Sequence, residues 1–115
     1  MAERKVTAEI GRDGVEAFLV KRVKALGGMS IKLAPIQAGI PDRLVMLPGG
    51  RMHLVEVKAL DGEIEPIQEH WHKQLLERQG IKVWVLWGEE GVRTWLREIY
   101  ALRPGSGARR PKTSK

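Results

Sequence analysis

The chain has 115 residues, 43% of them hydrophobic, which is enough to bury one core and build one domain. It contains no cysteine, which excludes a disulfide scaffold and a thiolate zinc site and fits a reducing cytoplasm. Its formal net charge is +6, and no apolar run approaches the roughly 18 residues that a membrane span needs.

Val15, Phe18, Leu19, Val23 and Leu26 recur at helical spacing. Asp13 is the expected N-cap and Gly27-Gly28 the stop. Met29 to Leu33 reads as a short strand, and Ala34 to Pro41 as a loop punctuated by Pro35 and Gly39. Arg43 to Leu47 and Met52 to Lys58 form a hairpin across Pro48-Gly49-Gly50. Asp61-Gly62 opens a polar loop, and Pro66 suits a first helical position with Glu65 ahead of it. On that second helix Ile67, Trp71, Gln74, Leu75 and Arg78 are expected to share a face, and Gly80 ends it. Ile81 to Trp87 is almost continuously apolar and is expected as a central strand. Gly88 to Gly91 then turns into a third helix with Val92, Trp95, Leu96 and Ile99 inward. The order is helix, three strands, helix, strand, helix. This is an α/β chain with a sheet flanked by helices and no internal repeat.

Residues 1–102 form the expected domain and 103–115 a tail. Arg103, Arg109, Arg110, Lys112 and Lys115 occur there with no acid, so the tail carries +5 and leaves 15 basic against 14 acidic residues elsewhere. With Pro104, Gly105, Gly107 and Pro111 it cannot bury a core, and disorder is expected. Such an arm suits a polyanion, nucleic acid being the usual one, or serves only to solubilise. The segment from Met1 to Lys5 lacks the apolar stretch of a signal peptide, so the expectation is a soluble cytoplasmic protein without membrane contact.

Strand alternation puts Glu56 and Lys58 on one face of a segment that is otherwise apolar. Burying that pair is costly without compensation. If Pro48-Gly49-Gly50 is the whole turn, Leu47 pairs with Arg51 and Asp42 falls opposite Glu56. A two-residue turn would instead pair Asp42 with Val57 and reverse its side chain. The first register sets Leu44 and Met46 against Leu54 and Met52, all apolar, and is favoured. Two acids and a lysine then converge, as in a divalent-metal phosphodiesterase site. Magnesium favours oxygen ligands and keeps several waters, so a few carboxylates plus substrate phosphate suffice.

Gly39-Ile40-Pro41-Asp42-Arg43, the Pro48-Gly49-Gly50 turn, Glu56-Val57-Lys58 and Gln68 on the following helix together resemble the VRR-NUC family. These are virus-type replication-repair nucleases of the PD-(D/E)xK superfamily. The first helix, with Val15-Glu16-Ala17-Phe18-Leu19 and Lys24-Ala25-Leu26-Gly27-Gly28, is similar to the small stand-alone phage and bacterial members. The resemblance runs from about Asp13 to Leu96. It implies a restriction-endonuclease-like core with a mixed sheet, and DNA cleavage with Mg2+ or Mn2+. It also implies a homodimer acting on branched DNA such as a four-way (Holliday) junction, with no small-molecule substrate. A flap or nonspecific endonuclease is the alternative, and a DNA-binding module without catalysis is the alternative of a different class.

On this resemblance Asp42, Glu56 and the Val57 carbonyl hold the metal, Lys58 positions the attacking water, and Gln68 orients the water or the lysine. Glu16 is the matching helix acid and a further ligand, with Glu9 and Asp13 as competitors and a surface role as the plain alternative. Lys32 is a candidate phosphate contact, as are Arg109, Arg110 and Lys112 of the tail. His70 and His72, two apart on a helix, make a poor metal pair. His53 alternates away from Glu56 and reads as a satisfied packing residue. Most of the tryptophans read as core, and the glycine-rich turn lacks the Lys-Ser or Lys-Thr of a phosphate loop.

Overall fold

The computed structural model describes residues 11–33 and 36–101. In chain order they form α1 (Arg12–Ala25), β1 (Met29–Lys32), β2 (Arg43–Leu47), β3 (Arg51–Lys58), α2 (Pro66–Gln79), β4 (Val83–Trp87) and α3 (Gly88–Ala101). The sheet order is β1-β2-β3-β4. β1 and β3 run antiparallel to β2, whereas β4 runs parallel to β3. The expected α/β class, element order and mixed sheet are all present. Arg109, Arg110, Lys112 and Glu9 lie outside the described residues.

The period-two pattern of the hairpin decides where the core sits. Val45, Leu47, Val55 and Val57 point to one side and are buried there with Val15, Leu19 and Val23 of α1 and Val92, Trp95, Leu96 and Ile99 of α3. Burial of each large apolar side chain contributes about 1.5–3 kcal/mol. The turn between β2 and β3 depends on Gly49 and Gly50, at φ 91° and 78°, a region where other residues are strained. Among the described residues the helix on the opposite face of the sheet is α2, which has no fully buried residue. Met29, Ile31 and Met52 on that face remain 65%, 47% and 63% exposed.

Four local expectations are corrected. Gly11, not Asp13, is the α1 N-cap, and Asp13 lies in the first turn, where its charge complements the helix dipole. Gly88 to Gly91 is the first turn of α3 rather than a separate turn. β4 is an edge strand of the described sheet, not a central one. Its apolar run reflects side chains packed on both faces, which is a different property from having strand neighbours on both sides. The inward stripe of α2 is partly rotated as well: Trp71, Gln74 and Leu75 are half-buried as expected, but Ile67 and Arg78 are exposed, and Gln68 and His72 join the half-buried set. Among the described residues no helix is long and apolar enough to cross a membrane.

Candidate active site

The hairpin brings the two acids together. Leu47 pairs with Arg51 and Arg43 with Val55, and one further step of that ladder sets Asp42 against Glu56. The three-residue-turn register is the observed one. Asp42 Oδ2 accepts a hydrogen bond from the Val57 backbone N–H at 2.9 Å, which ties this carboxylate to β3. Glu56 is fully buried beside it. Burial first, and the Asp42 carboxylate second, raise Glu56 from 4.5 to about 8, with Lys58 and Arg12 pulling the other way. Its Oε1 is buried and has no hydrogen-bond partner.

α2 supplies the third wall. Gln68 Nε2 donates to Glu56 Oε2 at 2.6 Å, and Lys58 Nζ donates to Gln68 Oε1 at 2.7 Å. Lys58 Nζ lies 3.9 Å from Glu56 Oε2, so the amide links acid and base across a longer ion-pair distance. The same Gln68 Oε1 accepts from the Glu65 backbone N–H at 2.9 Å, closing the first turn of α2. The helix is held against the Asp42 loop at Gly39. That residue has φ 86°, and a Cβ there would lie 2.5 Å from Trp71 Cδ1 and 2.7 Å from Ile67 Cγ1. The glycine of the Gly-x-Pro-Asp run thus has a packing reason.

Glu16 occupies a different side of the site. Arg43 opens β2 directly after Asp42, so its side chain leaves the opposite face of the sheet and meets α1. There Arg43 Nε donates to Glu16 Oε2 at 2.8 Å, and Lys32 Nζ lies 3.5 Å from the same oxygen. Arg12 Nη1 donates to Glu16 Oε1 at 3.2 Å and to Asp42 Oδ1 at 3.3 Å, bridging the two sides around the end of the sheet. Asp42, Glu56, Lys58 and Gln68 therefore converge, whereas Glu16 reaches them through Arg12, and Lys32 is paired with Glu16. Among the described residues no group of three or more His, Asp or Glu side chains is arranged to hold a metal ion. The closely held pair is Asp42 with Glu56.

Three residues of the site escape the sequence reading. Arg12 stands four positions before Glu16, and Arg43 stands next to Asp42; helical spacing and strand alternation predict their directions once the site is known. His72 stands four positions after Gln68 and so shares its face. It makes no metal pair with His70, but its Nε2 lies 3.8 Å from Glu56 Oε1, and neither atom has a hydrogen-bond partner. Burial, then Lys58, lowers the His72 pKa, with Glu69 opposing, which favours the neutral ring. His53 is a packing residue, edge-on to Trp95 at 5.5 Å and Trp84 at 6.3 Å. It is not a satisfied one, because its Nε2 is buried without a partner. Of the tryptophans, Trp95 is core and Trp84 packs against the core. Trp87 is exposed and donates to the Gly62 carbonyl at 2.9 Å.

No protein-family model matches the chain. It is 40% identical over 67 residues to "Putative nuclease p44" of Acyrthosiphon pisum secondary endosymbiont phage 1, a stretch that spans 57% of this chain and 72% of that protein. Its fold superposes with a TM-score of 0.69 on a solved structure described as "VRR_NUC domain", at 31% identity, covering 77% of this chain and 97% of that one.

Proposed function

The chain belongs to the VRR-NUC nuclease family, and from that premise we propose that it is a divalent-metal-dependent, structure-selective DNA endonuclease. The observation that carries this reading is the buried Asp42–Glu56 pair with Lys58 joined to it through Gln68. Two adjacent buried carboxylates repel one another unless a proton or a cation lies between them. The unpartnered Glu56 Oε1 and the oxygen-rich donor set fit a hard cation, Mg2+ or Mn2+. Asp42 and Glu56 would hold it, with the Val57 carbonyl and Glu16 as further oxygens. When bound, such an ion supplies Lewis acidity to a phosphate and lowers the pKa of a coordinated water.

The chain's own groups account for the rest. The Val57 N–H fixes Asp42 through Oδ2, and its Oδ1 meets Arg12. Gln68 accepts from Lys58 Nζ at 2.7 Å and so holds the ammonium 3.9 Å from Glu56 Oε2, where it can orient the attacking water and offset charge gathering on the phosphate oxygens. Arg109, Arg110 and Lys112 would add phosphate contacts outside the site. A pure DNA-binding module is disfavoured, because buried acids facing phosphate weaken binding and serve no purpose without a cation.

A four-way junction is the proposed substrate and a homodimer the proposed form. Paired incisions need two sites, and a two-fold dimer supplies them. The sheet face bearing Met29, Ile31 and Met52 supports this reading, since contiguous exposed apolar surface marks interaction sites. The test is cleavage of labelled junction, flap, splayed and duplex DNA with Mg2+, Mn2+ or EDTA. Junction cleavage that EDTA abolishes is expected. Cutting in EDTA would remove the metal from the proposal, and faster cutting of flaps would replace the substrate.

A further inference from the structure

Arg12 is oddly placed for a surface residue. It opens α1, where the helix dipole disfavours a cation, yet it turns its guanidinium into the acid cluster. Asp13, 3.3 Å from Nη2, offers it a pairing in open solvent. Nη1 nonetheless reaches inward to Glu16 Oε1 at 3.2 Å and Asp42 Oδ1 at 3.3 Å. Those two carboxylates come from α1 and from the start of β2, on opposite sides of the sheet end. One nitrogen thus lies between oxygens from both sides of the proposed metal site.

The binding is loose by the standard of its neighbours. Arg43 Nε contacts Glu16 at 2.8 Å and is largely buried, the geometry of a strong charge-assisted bond. The Arg12 contacts are longer, and its side chain is 43% exposed, so solvent weakens them and the guanidinium can leave without exposing core. Arg12 is the weakly held charge here and Arg43 the tightly held one.

We infer that Arg12 is a displaceable internal cation: it competes with the divalent ion for Asp42 Oδ1 and Glu16 Oε1, and once displaced it contacts a DNA phosphate. A dication attracts the carboxylates more strongly than a guanidinium does, so the exchange runs toward the metal when the ion is present. Release turns Arg12 toward solvent at the mouth of the site, where the substrate backbone must pass. Ion loading and phosphate capture are thereby coupled through one side chain. The inference rests on the metal site proposed above.

Calorimetric titration of Mn2+ into the wild type, Arg12→Ala, Lys32→Ala and Asp42→Asn separates the two. Binding in Asp42→Asn equal to wild type would sink the metal site itself. With that control lost as expected, Arg12→Ala should bind Mn2+ about three- to tenfold more tightly, because its competitor is gone. Lys32→Ala removes the same charge beside Glu16 but not from Asp42, and should change affinity less. Unchanged or weaker binding in Arg12→Ala, or an equal gain in Lys32→Ala, would overturn the competition while leaving the site intact. Affinity for a labelled junction in Ca2+ should fall in Arg12→Ala, with the slope of log affinity against log salt shallower by about one contact. An unchanged slope would overturn the handover to phosphate.

Discussion

Asp42 and Glu56 are each held by a neighbour that cannot be mistaken for packing, a backbone N–H for one and the Gln68 amide for the other. Asp42→Asn and Glu56→Gln keep those shapes and remove the charge. Each should cut cleavage by on the order of a thousandfold or more with far-UV circular dichroism unchanged. Lys58→Ala should lose turnover but retain Mn2+ binding. Gln68→Ala should cost about 10- to 100-fold in activity, since it loosens both the acid and the lysine. Full activity in either acid variant would remove that residue from the site.

The raised Glu56 pKa also makes a signed prediction. The folded chain keeps this proton to about pH 8, whereas the unfolded chain releases it near 4.5. The native state binds more protons between those values, so this group makes stability fall as pH rises through that window. In EDTA the melting temperature of Glu56→Gln should therefore decline less between pH 5 and 8 than that of the wild type. Mn2+ binding must expel the proton, so its affinity should climb over the same range and level off above about pH 8.

At the scale of elements, the hairpin was legible and the faces of its neighbours were less so. Matching Leu44 and Met46 to Leu54 and Met52 selects the observed register, because a one-residue slip would put apolar chains opposite the wrong face. The α2 stripe was legible at Trp71, Gln74 and Leu75 but not at Gln68 and His72, which turn toward a polar site, and apolar periodicity cannot report a polar partner. Glu16 was found through resemblance, and its company of Arg43, Lys32 and Arg12 only through the fold. Gly39 gives an element-scale test. Gly39→Ala sets a Cβ against Trp71 at a positive φ, and should cost about 1–3 kcal/mol in urea unfolding while shifting α2 and Gln68. Undiminished stability would mean that α2 is not anchored there.

For the whole molecule, the covered and uncovered faces of the sheet make different demands. α1 and α3 bury one face, whereas α2 leaves Met29, Ile31 and Met52 open to solvent. Light scattering should give about twice the 12.9 kDa chain mass, and Met52→Asp should return it to the chain mass. A wild-type monomer would remove the two-site account of junction cutting. Deleting residues 103–115 should weaken DNA binding without changing which structure is preferred, because phosphate contacts position rather than specify.

The turn at Pro48-Gly49-Gly50 sits at the far end of the hairpin from Asp42, five residues or roughly 17 Å along β2. Its length nevertheless decides which residue faces Glu56. A slip of one position would bring Arg43 to that place and set a guanidinium where the second acid belongs. An insertion in this exposed turn, in a region where loops usually tolerate lengthening, would read out as a loss of catalysis rather than as a local defect. Length variation among relatives should accordingly spare this turn and gather in the Asp61 loop, where no register is at stake.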